Sequence, residues 1–227
     1  MARSDDDLVL AAAVGVSRRF HVRGEDVLAL DGVDAEALAG ELTTVAGPSG
    51  SGKSTLLSLL GCLDRPTSGS VQLVGRNVHR LSRRRRRGLR RSVVVTLLPL
   101  PADNLLAGRS GRANIALAAR QRGVDPARVQ RAIDDLAIGG FVDRLVDTMS
   151  GGEQQRVAVA SVLAGGWPVV LADEPTGALD AGSAADVAQA LHAAAGTGIA
   201  VVAASHDPML IEASDQVIRL DHGRRVG

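Results

Sequence analysis

The sequence predicts an α/β fold whose parallel sheet is interrupted by a helical insertion. Residues 8–16 and 27–46 alternate short apolar stretches with turns, which favours antiparallel strands near the start of the chain. From about 102 to 165 the apolar residues instead recur with helical spacing. After Trp167 strands and helices alternate again, a pattern typical of a parallel sheet covered by helices.

Individual elements follow from the same spacing and from cap residues. The predicted helices span 53–60, 112–121, 125–137, 152–163, 181–195 and 208–213. The predicted strands, besides those near the N-terminus, span 42–46, 71–74, 169–172, 199–204 and 216–220. No internal repeat or low-complexity linker divides the chain, so we expect a single domain.

Composition narrows the classes of function. The chain has 227 residues and a net charge of +1, which gives no reason to expect a nucleic-acid partner. Its one cysteine, Cys62, cannot form an intrachain disulfide, which fits a reducing compartment. No apolar run reaches the roughly 18 residues of a transmembrane helix. We therefore expect a cytoplasmic protein that reaches the membrane only through a partner.

Positive charge is carried by arginine and concentrated around residues 80–91. The cluster comprises Arg80, Arg83 to Arg87, Arg90 and Arg91. Such a block is either a solvated helix or loop, or a surface that faces anionic lipid headgroups or an acidic partner. It lacks the interleaved aromatic residues of single-strand nucleic-acid platforms.

A glycine-rich segment between a predicted strand and a predicted helix matches the phosphate-binding pattern G-x-x-x-x-G-K-[ST]. Its residues are Gly47, Pro48, Ser49, Gly50, Ser51, Gly52, Lys53 and Ser54, and Thr55 follows as a further nucleotide contact. The glycines allow backbone N–H groups to surround phosphate oxygens at a helix N-terminus. Lys53, the only lysine in the chain, is expected to reach the β- and γ-phosphates of ATP, and Ser54 to hold Mg²⁺.

A second motif ends the predicted strand 169–172 in two acids. Asp173 is expected to bind Mg²⁺, directly or through water. Glu174 is placed to polarise the water that attacks the γ-phosphate. An acidic turn after a strand is common, so this motif depends on the phosphate-binding segment for its interpretation.

The most discriminating segment is Met149–Arg156, which places Ser150, Gly151 and Gly152 at a predicted helix N-terminus. This is a second anion site, away from the first. Together these motifs, in this order, resemble the ABC ATPase family, whose signature is Leu-Ser-Gly-Gly followed by Gln or Glu. Met149 replaces the leucine. The resemblance covers about residues 8–225.

The resemblance implies a P-loop NTPase (RecA-like) core with an N-terminal antiparallel β subdomain and an inserted helical subdomain. Over a single domain, 1–227, the core comprises 8–98 and 153–227, and the helical subdomain with the signature comprises 99–152. It also implies a dimer in which the signature of one subunit, Ser150 to Gly152, closes over the ATP held by the other.

Three further site residues are carried over from the family. Phe20 matches the aromatic residue that stacks on adenine. Asp180, in Ala178-Leu179-Asp180, matches the loop that touches the partner subunit. His206 matches the histidine that contacts the γ-phosphate, which makes it catalytic together with Glu174 and Lys53.

Segments 63–69 and 173–180 look like the lipoprotein-release and macrolide-export branch. That likeness implies a membrane permease, possibly with a large extracytoplasmic domain, and a second ATPase subunit, identical or paralogous. The cassette is then expected at the inner face of the cell membrane, bound through the permease.

One departure from the family pattern concerns a Mg²⁺ ligand. Relatives carry a glutamine where this chain has Pro99, and no glutamine occurs between Gln72 and Gln121. Mg²⁺ is therefore expected to lose a protein ligand, which water can replace. A smaller departure is Ser161, where many relatives have arginine.

Three functions are compatible with these motifs. The first is a transport motor that closes on ATP and opens after hydrolysis. The second is a slow or non-hydrolysing nucleotide switch that regulates a membrane protein; Pro99 favours it, whereas Glu174 and His206 oppose it. The third is a soluble ABC ATPase of DNA repair or translation, but such relatives carry coiled coils, zinc modules or two fused cassettes, which 227 residues do not contain.

Overall fold

The computed structural model describes residues 8–22 and 24–226, so the ends of the predicted 1–227 domain lie outside the described residues. Two sheets and a block of helices make up this part of the chain. Its strands are β1 Val9–Val22, β2 Glu25–Leu38, β3 Leu42–Ala46, β4 Ser68–Leu73, β5 Arg76–Asn77, β6 Val94–Leu97, β7 Val169–Asp173, β8 Ala200–Ser205, β9 Gln216–Asp221 and β10 Arg224–Arg225.

The α-helices account for all six predicted helices and add one at the arginine cluster. They are α1 Lys53–Leu60, α2 Arg83–Val93, α3 Gly111–Arg122, α4 Ala127–Asp135, α5 Gly151–Gly165, α6 Ala181–Ala195 and α7 Pro208–Glu212. Among the helices of the described ranges, none is both long and apolar enough to cross a membrane.

The two sheets confirm the predicted fold class. The first is antiparallel, with strand order β2-β1-β4-β5. The second has the order β10-β9-β3-β8-β7-β6, and its strands from β9 to β6 are parallel. Its carboxyl-terminal edge therefore collects the loops after β3, β7 and β8, which is where open parallel sheets place their ligands.

Strand alternation divides the apolar residues between two cores. In β7, Val170 and Ala172 pack into one core and Val169 and Leu171 into the other. The first core also holds apolar residues of α3, α4, α5 and α6, and the second those of α1, α2 and the antiparallel sheet. Because both faces are covered, β7 and β8 read as continuous apolar runs rather than as alternating ones.

Two features of the fold were not predicted. Strand β6 has four residues and directly follows an arginine-rich helix, so it offers too short an apolar run to identify. The arginine cluster itself forms most of α2, capped by the Ser82 hydroxyl. The sequence left this cluster either as a solvated helix or loop or as a docking surface, and its helical form is compatible with both.

Strands β1 and β4 approach each other closely at Gly69, and Gly75 offers a matched glycine without such a contact. Gly69 and Gly75 both have positive φ, +79° and +72°. A Cβ on Gly69 would lie 2.2 Å from the carbonyl oxygen of Gly15, whereas one on Gly75 would meet nothing within 4 Å.

We predict that Gly75→Ala lowers the free energy of unfolding by about 1–2 kcal/mol, the cost of the left-handed backbone alone. Gly69→Ala should lower it by at least about 1 kcal/mol more, because β1 must also move. Urea unfolding of both variants measures the difference. Equal values would mean that the Gly69 contact is not a real constraint.

Candidate functional site

The glycine-rich loop between β3 and α1 has a backbone that only glycine can adopt at two points. Gly52 caps α1 with φ 104°, and a Cβ there would lie 2.6 Å from the carbonyl oxygen of Ala29. A Cβ on Gly47 would lie 2.2 Å from the carbonyl oxygen of Leu220. The loop is therefore wedged against β2 and β9, and its glycines are required by packing as well as by conformation.

The side chain of Lys53 folds back onto the start of this loop. Its ammonium donates to the carbonyl oxygens of Gly47, at 2.9 Å, and Pro48, at 3.1 Å, and lies 3.6 Å from Glu174 Oε1. The Lys53 side chain is only 8% exposed. A positive charge thus sits at the mouth of the loop, in a space matched to a compact ammonium group.

Ser54 and Asp173 meet although 119 residues separate them. The Ser54 hydroxyl donates to Asp173 Oδ1 at 3.1 Å. Ser54 is the second residue of α1, and Asp173 is the last residue of β7. The parallel sheet therefore brings the two side chains together. A hydroxyl and a carboxylate are oxygen ligands of the kind Mg²⁺ takes, with the rest supplied by phosphates and water.

These two donors fit a Mg²⁺ site that depends on its substrate. Within the described ranges, no group of three or more His, Cys, Asp or Glu residues is arranged to hold a metal. The pair Ser54–Asp173 could hold Mg²⁺ together with phosphate oxygens and water.

Glu174 is the most constrained residue of the site. Its backbone φ is +45°, its N–H donates to the Ala204 carbonyl at 2.8 Å, and its carboxylate accepts from the Ser205 hydroxyl at 3.2 Å. His206 Nδ1 lies 3.2 Å from the other carboxylate oxygen. A left-handed backbone at a non-glycine residue is a form of strain that clusters at functional sites.

A cleft of about 660 Å³ joins these groups. Seven of the nine residues from Gly47 to Thr55 line it, and the other two, Gly47 and Ser51, lie behind the loop, where Ser51 is 2% exposed. The remaining lining residues are Ala29, Pro99, Leu100, Glu174, Gly177, Ala178 and His206. Lys53, Glu174 and His206, the three residues expected to be catalytic, thus face one space.

Pro99 lines this cleft, two residues after the end of β6. Asn104 holds the loop around it: its side chain accepts from the Leu98 N–H at 2.7 Å and donates to the carbonyls of Leu98 and Leu100. The proline therefore occupies a defined position beside the glycine-rich loop, and it offers no polar side-chain atom there.

Phe20 does not line this cleft in the described part of the chain. It lies in β1, half-buried and paired in register with Val27 of β2. The Arg18 guanidinium covers its ring, 4.3 Å from the centroid. The expected contact of Phe20 with adenine stays a prediction.

The signature residues form a second, separate group. Ser150 caps α5 in a reciprocal pair with Glu153: the Ser150 hydroxyl accepts from the Glu153 N–H at 3.2 Å, and the Glu153 carboxylate accepts from the Ser150 N–H at 2.8 Å. Arg144 donates to the same carboxylate at 2.8 Å. This network fixes the N-terminal turn of α5, whose N–H groups and dipole favour an anion.

The signature packs against the start of α6. A Cβ on Gly152 would lie 2.7 Å from Ser183 Cβ, and one on Gly151 would lie 3.1 Å from a methyl of Leu179. Asp180 caps α6 by accepting from the Ser183 N–H at 3.0 Å and from its hydroxyl at 2.8 Å. These hydrogen bonds from Ser183 hold the pKa of Asp180 below its usual value. Signature and Asp180 thus form one unit, and neither lines the cleft.

Ser205 is a site residue that sequence reasoning missed. Its side chain is fully buried, and its hydroxyl links Glu174 to the Asp207 N–H, at 3.1 Å. A serine before His206 at the end of a predicted strand was the available signal, but serine at that place has many ordinary uses. Asn104 was also missed, because a lone asparagine is equally uninformative in sequence.

Comparison with known proteins agrees with this geometry. The family model described as "ABC transporter" matches residues 30–177. Macrolide export ATP-binding/permease protein MacB 1 of Aeromonas hydrophila is 39% identical over 213 residues, which cover 92% of this chain and 33% of that protein. The corresponding MacB of Nitrosomonas europaea is 40% identical over 205 residues, 88% and 31% of the two chains. The chain spans about a third of the length of these curated relatives.

Solved structures share the whole fold. A dimeric, post-hydrolysis state of the ATP-binding cassette MJ0796 bound to ADP and Pi has a TM-score of 0.78 at 29% identity, covering 96% of this chain and 97% of that one. CbiO1 from Clostridium perfringens, at 24% identity and a TM-score of 0.83, supports the fold alone and covers 96% and 87%. The matched family model and these relatives show that this chain belongs to the ABC transporter family.

Proposed function

We propose that this cassette works as a dimer around two ATP molecules and drives an integral membrane permease from the inner face of the cell membrane. The observation that carries the proposal is the convergence of Lys53, Glu174 and His206 on one cleft beside the pair Ser54–Asp173. These are the groups that hydrolysis of a nucleoside triphosphate requires: a cation for phosphate, oxygen ligands for a metal, and a carboxylate for water.

Within the cleft, each residue has a separate task. Backbone N–H groups of residues 47–55 bind the phosphates, and Lys53 neutralises the β- and γ-phosphate charge. Ser54 and Asp173, with water, would hold Mg²⁺, which would neutralise phosphate charge when bound. Glu174 orients the attacking water and accepts its proton while the bond to the leaving ADP breaks. Ser205 and His206 hold the Glu174 carboxylate in the cleft.

The second subunit follows from the position of the signature. Ser150, Gly151 and Gly152 form an anion-binding helix end that does not line the cleft of their own chain. We propose that they close over ATP bound to a second copy or a paralogous subunit, with Asp180 at the contact. The dimeric state of MJ0796, bound to ADP and Pi, supports this arrangement.

The permease belongs to the export branch in this proposal. The relatives named macrolide export ATP-binding/permease proteins support it, since their names join a cassette and a permease. We propose a permease that has a large extracytoplasmic domain and acts on substrates at or beyond the outer face of the membrane. This chain then lies at the cytoplasmic face of the membrane, without a nucleic-acid partner.

A slow nucleotide switch is the second candidate function, and Pro99 is the observation that favours it. The residue occupies the cleft where a glutamine would offer an oxygen to Mg²⁺. A metal with fewer protein ligands would slow hydrolysis without preventing ATP from binding. The two candidates therefore differ in turnover, not in nucleotide affinity.

The role of Glu174 is tested by Glu174→Gln. We predict that ATP affinity is kept, that turnover falls about 10²–10⁴-fold, and that ATP then holds the dimer closed. The measurements are ATPase rate and size-exclusion chromatography with ATP. Glu212→Gln, the same change on an exposed acid outside the cleft, is the matched control and should hydrolyse and elute as the parent protein does. Unchanged turnover in Glu174→Gln would remove this residue from the mechanism.

The role of Lys53 is tested most sharply by Lys53→Arg, which keeps the charge. A planar guanidinium does not fit the nearly buried space of the ammonium, so ATP binding should weaken and turnover fall about a hundredfold or more, as with Lys53→Ala. Nucleotide titration and ATPase rate measure this, with thermal unfolding as the control for folding. A fully active Lys53→Arg protein would contradict the proposed geometry.

The effect of Pro99 is tested by Pro99→Gln in a Mg²⁺ titration of ATPase rate at fixed ATP. We predict slow hydrolysis by the parent chain, and a lower half-maximal Mg²⁺ concentration with faster turnover in the variant, because an amide oxygen becomes available. Leu100→Gln, one residue along in the same cleft, should not reproduce the shift. Coincident curves for Pro99→Gln and the parent would show that the proline does not limit metal binding.

A further inference from the structure

Charge is strongly segregated along this chain. Residues 65–102 contain ten of the 26 basic residues and no aspartate or glutamate. The other 189 residues carry 16 basic and 25 acidic side chains, so the near-zero total conceals a basic segment in an acidic protein. Segregation of this size creates a local potential that attracts anions whatever the net charge.

Helix α2 presents the basic segment to solvent. Leu89 and Val93, four residues apart, are its buried residues. Its exposed arginines are Arg83, Arg84, Arg85, Arg87 and Arg91, and two more, Arg86 and Arg90, are half-buried. Over residues 8–22 and 24–226, every ion pair of an arginine with an acid lies elsewhere, so no acid of these described ranges forms an ion pair with an α2 arginine.

The arginines of α2 are not explained by a contribution to the stability of the helix. Its first turn contains arginines and no acid, although the helix dipole favours negative charge there. Arg83 and Arg87 are four residues apart, as are Arg87 and Arg91, and like charges at this spacing repel. Arg90 and Arg91 in the last turn suit the helix dipole, but the first turn and the repulsion between arginines oppose the helix. An external anionic surface would relieve both unfavourable effects.

Two buried nitrogen atoms without a hydrogen-bond partner in the described part of the chain lie on α2 and on the turn before it. Arg86 Nη1 and His79 Nε2 are buried without a hydrogen-bond partner in the described residues. Burial, together with the charges of Arg65 and Arg86, lowers the pKa of His79. Basic groups from α2 and from the segment before it thus lie close enough together to affect one another.

We infer that α2 is an electrostatic docking surface for the anionic lipid headgroups of the membrane at which the cassette works. The apolar residues of the helix are used inside the protein, so the contact is one of charge at the surface and not of insertion. A flat anionic surface can meet a row of exposed arginines without a shaped groove. No aromatic residue lies on α2 to stack on nucleic-acid bases.

The place of α2 in the chain suits this partner. The helix runs directly into β6, after which Leu98 and Leu100 are 43% and 57% exposed beside Pro99. We take this exposed apolar segment as the permease contact of the proposed function, which would bring α2 toward the membrane. That step rests on the proposed function, whereas the charge of the helix does not.

The experiment is sedimentation of the full chain with vesicles of phosphatidylcholine, with or without a fraction of phosphatidylglycerol, at low and high salt. We expect binding to the anionic vesicles alone, weakened by salt. An arginine near such a surface strengthens binding about fivefold, so the triple variant Arg83→Gln, Arg84→Gln, Arg87→Gln should lose at least about tenfold in affinity.

The matched control is Arg120→Gln, Arg131→Gln, Arg219→Gln, which removes the same charge from exposed positions on other elements and should bind as the parent does. Equal losses in the two triple variants would overturn the inference, because total charge and not α2 would then decide binding. So would no binding of the parent chain to anionic vesicles, which would leave an acidic protein segment as the partner of α2. Nucleotide binding and ATP-dependent dimerisation, measured on the same proteins, report separately on the proposed function.

Discussion

The parallel pairing of β7 with β8 is the constraint on which the site depends. It sets Asp173 opposite Ala204, and the hydrogen bond from the Glu174 N–H to the Ala204 carbonyl continues the pairing one residue beyond β7. That bond holds Glu174 in a left-handed backbone, which turns its carboxylate toward Lys53, Ser205 and His206. A shift of one residue in this register would carry the carboxylate out of the cleft.

Pairing of β3 with β8 completes the same edge of the sheet. Ala46, the last residue of β3, lies opposite Ser205, so the glycine-rich loop begins where the His206 turn begins. The register of the strands thus sets the positions of the segments that form the cleft. Side chains then refine it: the Ser205 hydroxyl ties Glu174 to the next turn, and Asn104 fixes the loop that carries Pro99.

Much of this arrangement could be predicted because it lies in contiguous sequence. Residues 47–55 and the strand before Asp173 can be recognised by their composition and order, and the helices by their caps and apolar spacing. His206 was identified only through resemblance, since one histidine after a strand carries little information. Ser205 and Asn104 act through single hydrogen bonds to distant backbone or side chains, which no local pattern encodes. Strand β6 was too short to recognise beside the arginines of α2.

The relation between the two halves of the site was expected only through the family resemblance, because it lies between chains in our account and no pattern within one chain encodes it. A cross-link tests this directly. Cys62 is the only cysteine, and burial raises its pKa to about 11, so its thiol stays protonated and unreactive near neutral pH. In the Glu174→Gln background, chains carrying Ser49→Cys and chains carrying Ser150→Cys would be mixed with Mg-ATP and a short bismaleimide. Our account predicts a cross-linked dimer from the mixture and none from either chain alone. Equal cross-linking of each chain with itself, or none in an ATP-bound dimer, would contradict it.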